Sequence, residues 1–290
     1  MQSFTIKDVE NLTGIKAHTL RIWEQRYGFL VPKRKESLHR IYDNEDLKTI
    51  LRIAFLYHSG WKISKIAALS PEAVLEEVNR HAPGSSDYYI NRLLEAAIDF
   101  NEYEFISAIN EASAAGSFEK CMTDVCYPYL KKLGLLWSTN RIIPAQEHFS
   151  SYIIQNRIIY ETEKLPPVSD PPQVLLTAPR GEFHELPLLF INYLLRKRGR
   201  STLYMGPNSE QADIRQLGAL PTVQSIYLHL VTNFTGLLVD DYLEEMCRLF
   251  PGKRILASGE GIKSVQRTFT NLTLLRSDHS IYEFIDGVRA

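Results

Sequence analysis

The sequence predicts a multidomain chain of mixed α and α/β class: a small winged helix-turn-helix, then a four-helix bundle, then a doubly wound parallel sheet. Three observations predict it. Apolar residues recur at helical spacing as far as about residue 165, whereas beyond 173 short apolar runs alternate with amphipathic helices. Breaks rich in Pro and Gly separate the blocks, at Pro83-Gly84-Ser85-Ser86 and from Pro166-Pro167 to Pro171-Pro172. Charge is divided unequally: residues 1–70 carry 12 Lys and Arg against 7 Asp and Glu, and the remainder carries 21 against 27. The modules expected are 1–75, 87–165 and 173–290.

A chain of 290 residues exceeds what one hydrophobic core usually supports, about 250 residues. With 44% hydrophobic and 23% charged residues it has the composition of a globular protein. No apolar run approaches the roughly 20 residues of a membrane helix, and Met1 is followed by polar residues, so a cytoplasmic protein with no membrane partner is expected. Cys121, Cys126 and Cys247 cannot pair evenly and are read as core thiols. The basic first segment on an acidic body suggests a polyanion partner for that segment alone.

Thr5 can cap a helix whose apolar positions are Ile6, Val9 and Leu12, ended by Thr13-Gly14. A second helix, Lys16 to Tyr27, turns Leu20 and Trp23 inward and leaves His18, Thr19, Arg21, Glu24, Gln25 and Arg26 on the other face. Two short helices joined by such a turn form a helix-turn-helix, whose second helix enters the major groove of double-stranded DNA. Residues 29–43 read as a basic wing, with Lys33, Arg34, Lys35 and Arg40 available to phosphates. Asp43 then caps a third helix with Asp46 at its third position, and a short helix from Ile63 to Leu69 closes the module.

Residues 3–70 resemble the DNA-binding domain of the MerR family, through Thr5-Ile6-Lys7-Asp8-Val9, the run Thr19 to Gly28, Arg40-Ile41-Tyr42 and Asp46-Leu47. The resemblance implies that Arg21, Arg26, Tyr27 and Arg40 contact the DNA backbone, with His18, Thr19 and Gln25 near base edges.

Between Asp87 and Leu165 four apolar stripes predict an antiparallel bundle: Ile90/Leu93/Leu94/Ala97, Tyr103/Ile106/Ile109, Cys121/Met122/Val125/Cys126/Leu130/Leu133 and Phe149/Tyr152/Ile153/Ile159. Beyond it, strands are expected at Val174–Thr177, Thr202–Met205, Ile226–Val231, Arg254–Ala257 and Leu272–Leu275. Helices are expected at Pro187–Arg198, Gln211–Leu217, Asp240–Phe250 and from Ile281.

Ligands of such a sheet bind beyond the carboxyl ends of its strands, at the switch point, which directs attention to the first strand-to-helix loop, Ala178 to Leu186. It holds Glu182-x-His184. A loop imidazole can ligate a metal while a carboxylate on its other nitrogen fixes the tautomer; a solvated or capping His is the competing reading of the pair alone.

The Glu-x-His loop before a helix, Gly206 after the second strand, Val231-Thr232 at the end of the third and Ser258-Gly259-Glu260-Gly261 after the fourth together resemble the flavodoxin-like cobalamin-binding domain of corrinoid proteins. The resemblance implies that His184 ligates cobalt, that Glu182 orients it, and that Thr232, Ser258 and Gly259 line the slot for the dimethylbenzimidazole tail. In the bundle, Trp137 followed after nine residues by Glu147-His148 resembles the helical cap of the cobalamin-dependent photoreceptor regulators, which also begin with a MerR-type domain. There the Trp covers the upper corrin face and the Glu holds the adenosyl group. Two positions depart from these patterns: Pro187 stands where the loop motif has Gly, and Ser138 where a His follows the Trp.

The resemblance implies a transcription regulator, not an enzyme, whose DNA affinity is set by adenosylcobalamin, with light as the input. Alternatives are a regulator whose degenerate corrinoid domain serves protein contacts, or a corrinoid carrier, for which a duplex-reading arm has no use. No sustained heptads follow Leu69, so a homodimer or homotetramer is expected to form through the bundle and sheet.

Overall fold

The structure, a computed structural model, describes residues 4–28, 33–34, 40–81, 84–138, 144–231 and 238–287; at 33–34, 81, 135–138 and 144 it describes the backbone only. The chain divides into two compact units, Met1–Ile153 and Ile154–Ala290.

In the first unit β1 (Phe4–Thr5) leads into α1 (Ile6–Thr13). Thr5 Oγ1 accepts from the Asp8 amide while Asp8 Oδ2 accepts from the Thr5 amide at 2.7 Å, so two orphan donors of the helix start are satisfied reciprocally. Gly14, at φ 73°, ends the helix in the left-handed conformation that glycine adopts without a Cβ penalty, and turns the chain into α2 (Ala17–Tyr27). β2 (Lys33–Arg34) and β3 (Arg40–Tyr42) complete an antiparallel sheet in the order β1-β3-β2. α3 (Asn44–His58) starts at a second reciprocal cap, Asp43 with Asp46, as the sequence predicts. α4 (Ile63–Ile66) is followed by α5 (Pro71–His81), a helix that the sequence reading omits. Phe4, Val9, Leu20, Trp23, Tyr42, Leu47 and Ile50 form the core of this head.

The bundle comprises α6 (Ser86–Asp99), α7 (Glu102–Ala115), α8 (Phe118–Cys121) continued through a π turn at Met122–Cys126 into α9 (Tyr127–Ser138), and α10 (Pro144–Glu163). Two stripes differ from expectation. Tyr103 is 82% exposed, because α7 buries Phe105, Ala108, Ile109 and Ala112 instead. On α10, Tyr152 and Ile159 are exposed and the buried face is Gln146, Ser150, Ile154 and Ile158, repeating every fourth residue. The Ser150 hydroxyl lies 2.6 Å from the Tyr129 hydroxyl, which satisfies both inside the bundle. The three cysteines are buried and form no disulfide; Cys121 and Cys126, five residues apart across the π turn, bring their sulfurs to 3.9 Å. Among the described residues no helix is long and apolar enough to cross a membrane.

The second unit is a five-stranded parallel sheet: β4 (Val174–Pro179), β5 (Thr202–Ser209), β6 (Ser225–His229), β7 (Arg254–Ser258) and β8 (Leu272–Leu275), in the order β5-β4-β6-β7-β8. The intervening helices are α11 (Leu186–Lys197), α12 (Gln211–Gly218), α13 (Val239–Leu249), a 3₁₀ turn at Glu260–Ser264 and α14 (Asp278–Ile285). β4 is buried along its whole length, as a central parallel strand covered on both faces must be. The order reverses between β4 and β6, which is the switch point of a flavodoxin-like sheet. β5 runs on to Ser209, so Gly206 lies inside it and not after it.

Two ion pairs fasten α3 of the head to α6 of the bundle. Lys48 Nζ lies 2.8 Å from Asp99, and the Arg52 guanidinium donates twice to Glu95, with Nε at 3.0 Å. Burial holds the Glu95 carboxyl above its ordinary value even though Arg52 pulls it down. Removing the guanidinium leaves a largely buried carboxylate without its partner, which should cost about 3 kcal/mol. A carboxyl raised in the folded state favours folding below its unfolded value and loses that contribution as pH rises through the folded one. We therefore expect Arg52→Ala to lower stability to denaturant most at pH 7 and progressively less toward pH 4, and a further Glu95→Leu change to recover most of the loss. Denaturant unfolding at the two pH values measures both.

Candidate functional site

The first strand-to-helix loop follows β4 and carries a buried carboxylate. Glu182 is 1% exposed, yet its oxygens meet donors from two strand ends. Oε2 accepts from the Val231 amide just beyond β6 at 2.8 Å, and Oε1 accepts from the His184 amide at 3.1 Å. Oε1 also lies 2.6 Å from His184 Nδ1. Because a carboxylate can only accept, Nδ1 carries the proton and the imidazole lone pair sits on Nε2. The His184 side chain is 47% exposed, so that lone pair belongs to a ring that reaches the surface.

β5 braces the same loop. The Asn208 amide donates to the Glu182 carbonyl at 2.8 Å, and Asn208 Oδ1 accepts from the Gly181 amide at 2.9 Å. At the start of α11, Glu185 accepts from Gln155 Nε2 at 2.8 Å and from the Tyr204 hydroxyl at 3.2 Å. Pro187 lies in the first turn of α11, where its missing N–H costs no hydrogen bond.

A second imidazole, His229, ends β6 and was not singled out in the sequence because it lies inside an apolar strand run. Its Nδ1 is 2.8 Å from the Ser258 hydroxyl, which in turn is 2.6 Å from the Tyr227 hydroxyl. Burial pushes His229 down to about 4, with the neighbouring Glu182 opposing and His184 reinforcing the shift. Ser258 is thus committed to an internal network. Gly259, at φ 99°, packs so closely on the Leu230 carbonyl that a Cβ there would lie 2.3 Å from its oxygen. Its smallness serves the protein's own backbone. Thr232 lies outside the described residues.

In the first unit Glu147 is half-buried and His148 exposed in the first turns of α10. Trp137 and Ser138 fall in the last turn of α9, with their side chains outside the described residues. On α2, His18, Arg21, Gln25 and Arg26 are exposed and Thr19 and Tyr27 half-buried, while Leu20 and Trp23 are turned inward. The Arg26 guanidinium stacks 5.6 Å from the Tyr27 ring centre. Arg40 Nε donates to Glu24 Oε2 at 2.6 Å, which ties β3 to α2. Lys33 and Arg34 form β2 with side chains outside the described residues, and Lys35 lies outside them entirely.

Residues 4–72 match the MerR HTH family regulatory protein model, and residues 89–160 match the B12 binding domain. The chain joins a MerR-type regulatory domain to a B12-binding domain. It is homologous to two Myxococcus xanthus proteins. The HTH-type transcriptional repressor CarA is 27% identical over 212 residues, 72% of this chain and 70% of CarA. The HTH-type transcriptional repressor CarH is 24% identical over 282 residues, 94% of each chain. Among solved structures, the monomethylamine corrinoid protein of Methanosarcina barkeri superposes with a TM-score of 0.57 at 13% identity, covering 71% of this chain and all of that one. That likeness supports the corrinoid-protein fold expected for this chain.

The neutral His229 makes the sheet unit of this B12-domain protein acid-sensitive. An imidazole lowered from 6.5 to about 4 favours folding fully above pH 6.5 and loses that contribution as pH falls toward 4. The loss is on the order of 3 kcal/mol. In cobalamin-free protein, we expect unfolding of the sheet unit to shift to lower denaturant between pH 7 and pH 4, and His229→Gln to flatten that dependence. An unchanged pH profile in the variant would contradict the assignment.

Proposed function

We propose that this protein is a sequence-specific DNA-binding transcription regulator, not an enzyme, whose DNA affinity is set by adenosylcobalamin. The observation that carries the reading is the Glu182–His184 pair at the switch point of the sheet, in one chain with a helix-turn-helix. The donor chemistry fits a cobalt ion: the carboxylate holds Nδ1 and so leaves the lone pair of a half-exposed imidazole on Nε2. His184 would ligate cobalt, Glu182 would fix its tautomer, and Thr232, Ser258 and Gly259 would border the nucleotide tail. Trp137, Glu147 and His148 would serve the upper face. Adenosylcobalamin, where bound, supplies a cobalt–carbon bond that light cleaves.

On the DNA side, Arg21, Arg26, Tyr27, Lys33, Arg34, Lys35 and Arg40 would hold phosphates, with His18, Thr19 and Gln25 toward base edges. The exposed face of α2 supports this, because its inward residues are spent on the core. Glu24 would orient Arg40. The modules 1–75, 87–165 and 173–290 would act in the cytoplasm as a homodimer or homotetramer. A second reading, a sheet domain that has weakened its cofactor site, rests on Pro187 in the first turn of α11.

Two experiments test the proposal. Mixed with adenosylcobalamin in the dark and gel-filtered, the wild type should retain a cobalamin absorption band, His184→Ala should lose most of it, and Glu182→Gln should bind about 10- to 100-fold more weakly. Equal retention and identical spectra for wild type and His184→Ala would reject the ligand assignment; no retention by either would favour the second reading. Separately, DNA affinity should fall steeply with salt, and Arg21→Ala should weaken binding to all sequences alike. Salt-independent binding would rule out the phosphate contacts.

A further inference from the structure

The first unit holds a cleft unrelated to any residue assigned above. It has a volume of about 240 Å³ and lies between α1 and α3 of the head and α6 and α9 of the bundle. That is many times the roughly 10–15 Å³ that one water requires. Its floor is apolar and buried: Leu12, Leu51, Ala54 and Phe55.

The charged groups around it are unusual. Lys132, half-buried on α9, makes no hydrogen bond or ion pair among the described residues, and burial draws its ammonium below the ordinary lysine value. Asp87, in the first turn of α6, also lines the cleft and attracts the Lys132 charge without forming an ion pair with it. The side-chain amide of Asn91, one turn along α6 from Asp87, lines the same space. Within contact distance, opposite charges would close on each other, and neither could then serve a ligand. Over the apolar floor, the half-buried ammonium of Lys132 has no protein partner among the described residues, and the solvent-exposed Asp87 carboxylate and the half-buried Asn91 amide line the same cleft without satisfying it. His58 and Thr13 at the rim do not compete, since His58 Nε2 is bonded to the Thr13 carbonyl at 2.7 Å.

We infer that this cleft binds a small zwitterion with an aliphatic tail, of the α-amino acid class, its carboxylate on Lys132 and Asn91, its ammonium on Asp87 and its side chain on the apolar floor. A simple carboxylate would be repelled by Asp87, and a simple amine by Lys132. Only a molecule carrying both charges answers both walls. The ligand would touch the head and the bundle at once, bracing the junction already fastened by Arg52 and Glu95.

The test is calorimetric titration of the full chain with L-leucine, with isovalerate, which keeps the carboxylate alone, and with isoamylamine, which keeps the amine alone. L-leucine should give saturable binding in the micromolar to millimolar range. Each half-ligand should bind at least about tenfold more weakly, as should L-leucine to Lys132→Gln and Asp87→Asn, matching the loss of one charged hydrogen bond. Retained DNA binding shows that each variant is folded, and a variant that loses it is replaced by Lys132→Met or Asp87→Ser. No saturable heat from L-leucine with the DNA-competent wild type would overturn the inference and leave a water-filled cleft. Isovalerate binding as tightly as L-leucine, or folded variants of Lys132 or Asp87 binding like wild type, would equally overturn the zwitterion assignment.

Discussion

A single buried carboxylate organises the sheet unit. Glu182 is removed from water almost completely, and a carboxylate in that position is tolerable only when its oxygens are met by donors. Among the described residues those donors are the amides of His184 and Val231 and the His184 ring, from the segments that follow two neighbouring strands at the switch point. The carboxylate therefore ties the loop after β4 to the segment after β6. Asn208 adds the third strand to the same tie by donating to the Glu182 carbonyl. The orientation of the His184 imidazole is a consequence of this bracing, and replacing Glu182 by an apolar residue would release the ring and orphan the Val231 amide together.

The first unit depends on charge pairs in a different way. α3 carries the apolar core of the head on one side and Lys48 and Arg52 toward the bundle on the other. Apolar packing is tolerant of small sliding, whereas Arg52 against Glu95 through two nitrogens has one register. α3 packs on α1 and α6, and α1 packs on α2 and α9, so α2 is joined to the bundle through both α1 and α3. The Glu24–Arg40 pair makes the corresponding tie from α2 to β3.

Much of this was legible in the sequence because it is written in local chemistry. The caps at Thr5 and Asp43, the inward Leu20 and Trp23, the alternation of strands and helices past residue 173 and the Glu182-x-His184 spacing each depend on a few neighbouring residues. Helix faces were less legible. Tyr103 and Ile106 share helical spacing with Ile109, but spacing alone cannot say which of two apolar faces meets the core, and α7 uses the one with Phe105. The same ambiguity misplaced Tyr152 and Ile159 on α10. α5 carried a usable signal in Ser70-Pro71-Glu72, with Ser70 Oγ accepting from the Ala73 amide at 3.2 Å, a polar cap followed by Pro in the first turn. His229 carried none, because its partner Ser258 is 29 residues away and only strand register brings them together. The cleft around Lys132 and Asp87 is likewise a product of tertiary packing.

Two imidazoles flank Glu182, and their surroundings decide which can serve a bound group. His229 is held against the Ser258 hydroxyl through Nδ1, in a network that continues to the Tyr227 hydroxyl, and burial holds its pKa well below the ordinary imidazole value. His184 differs in each respect: it sits on a loop, reaches the surface, and has its proton fixed on Nδ1 by a carboxylate that is itself immobile. The position of its proton and its lone pair is therefore set by the fold. With its pKa lowered, the His229 ring stays uncharged near Glu182 at neutral pH and does not compete with His184 for the carboxylate.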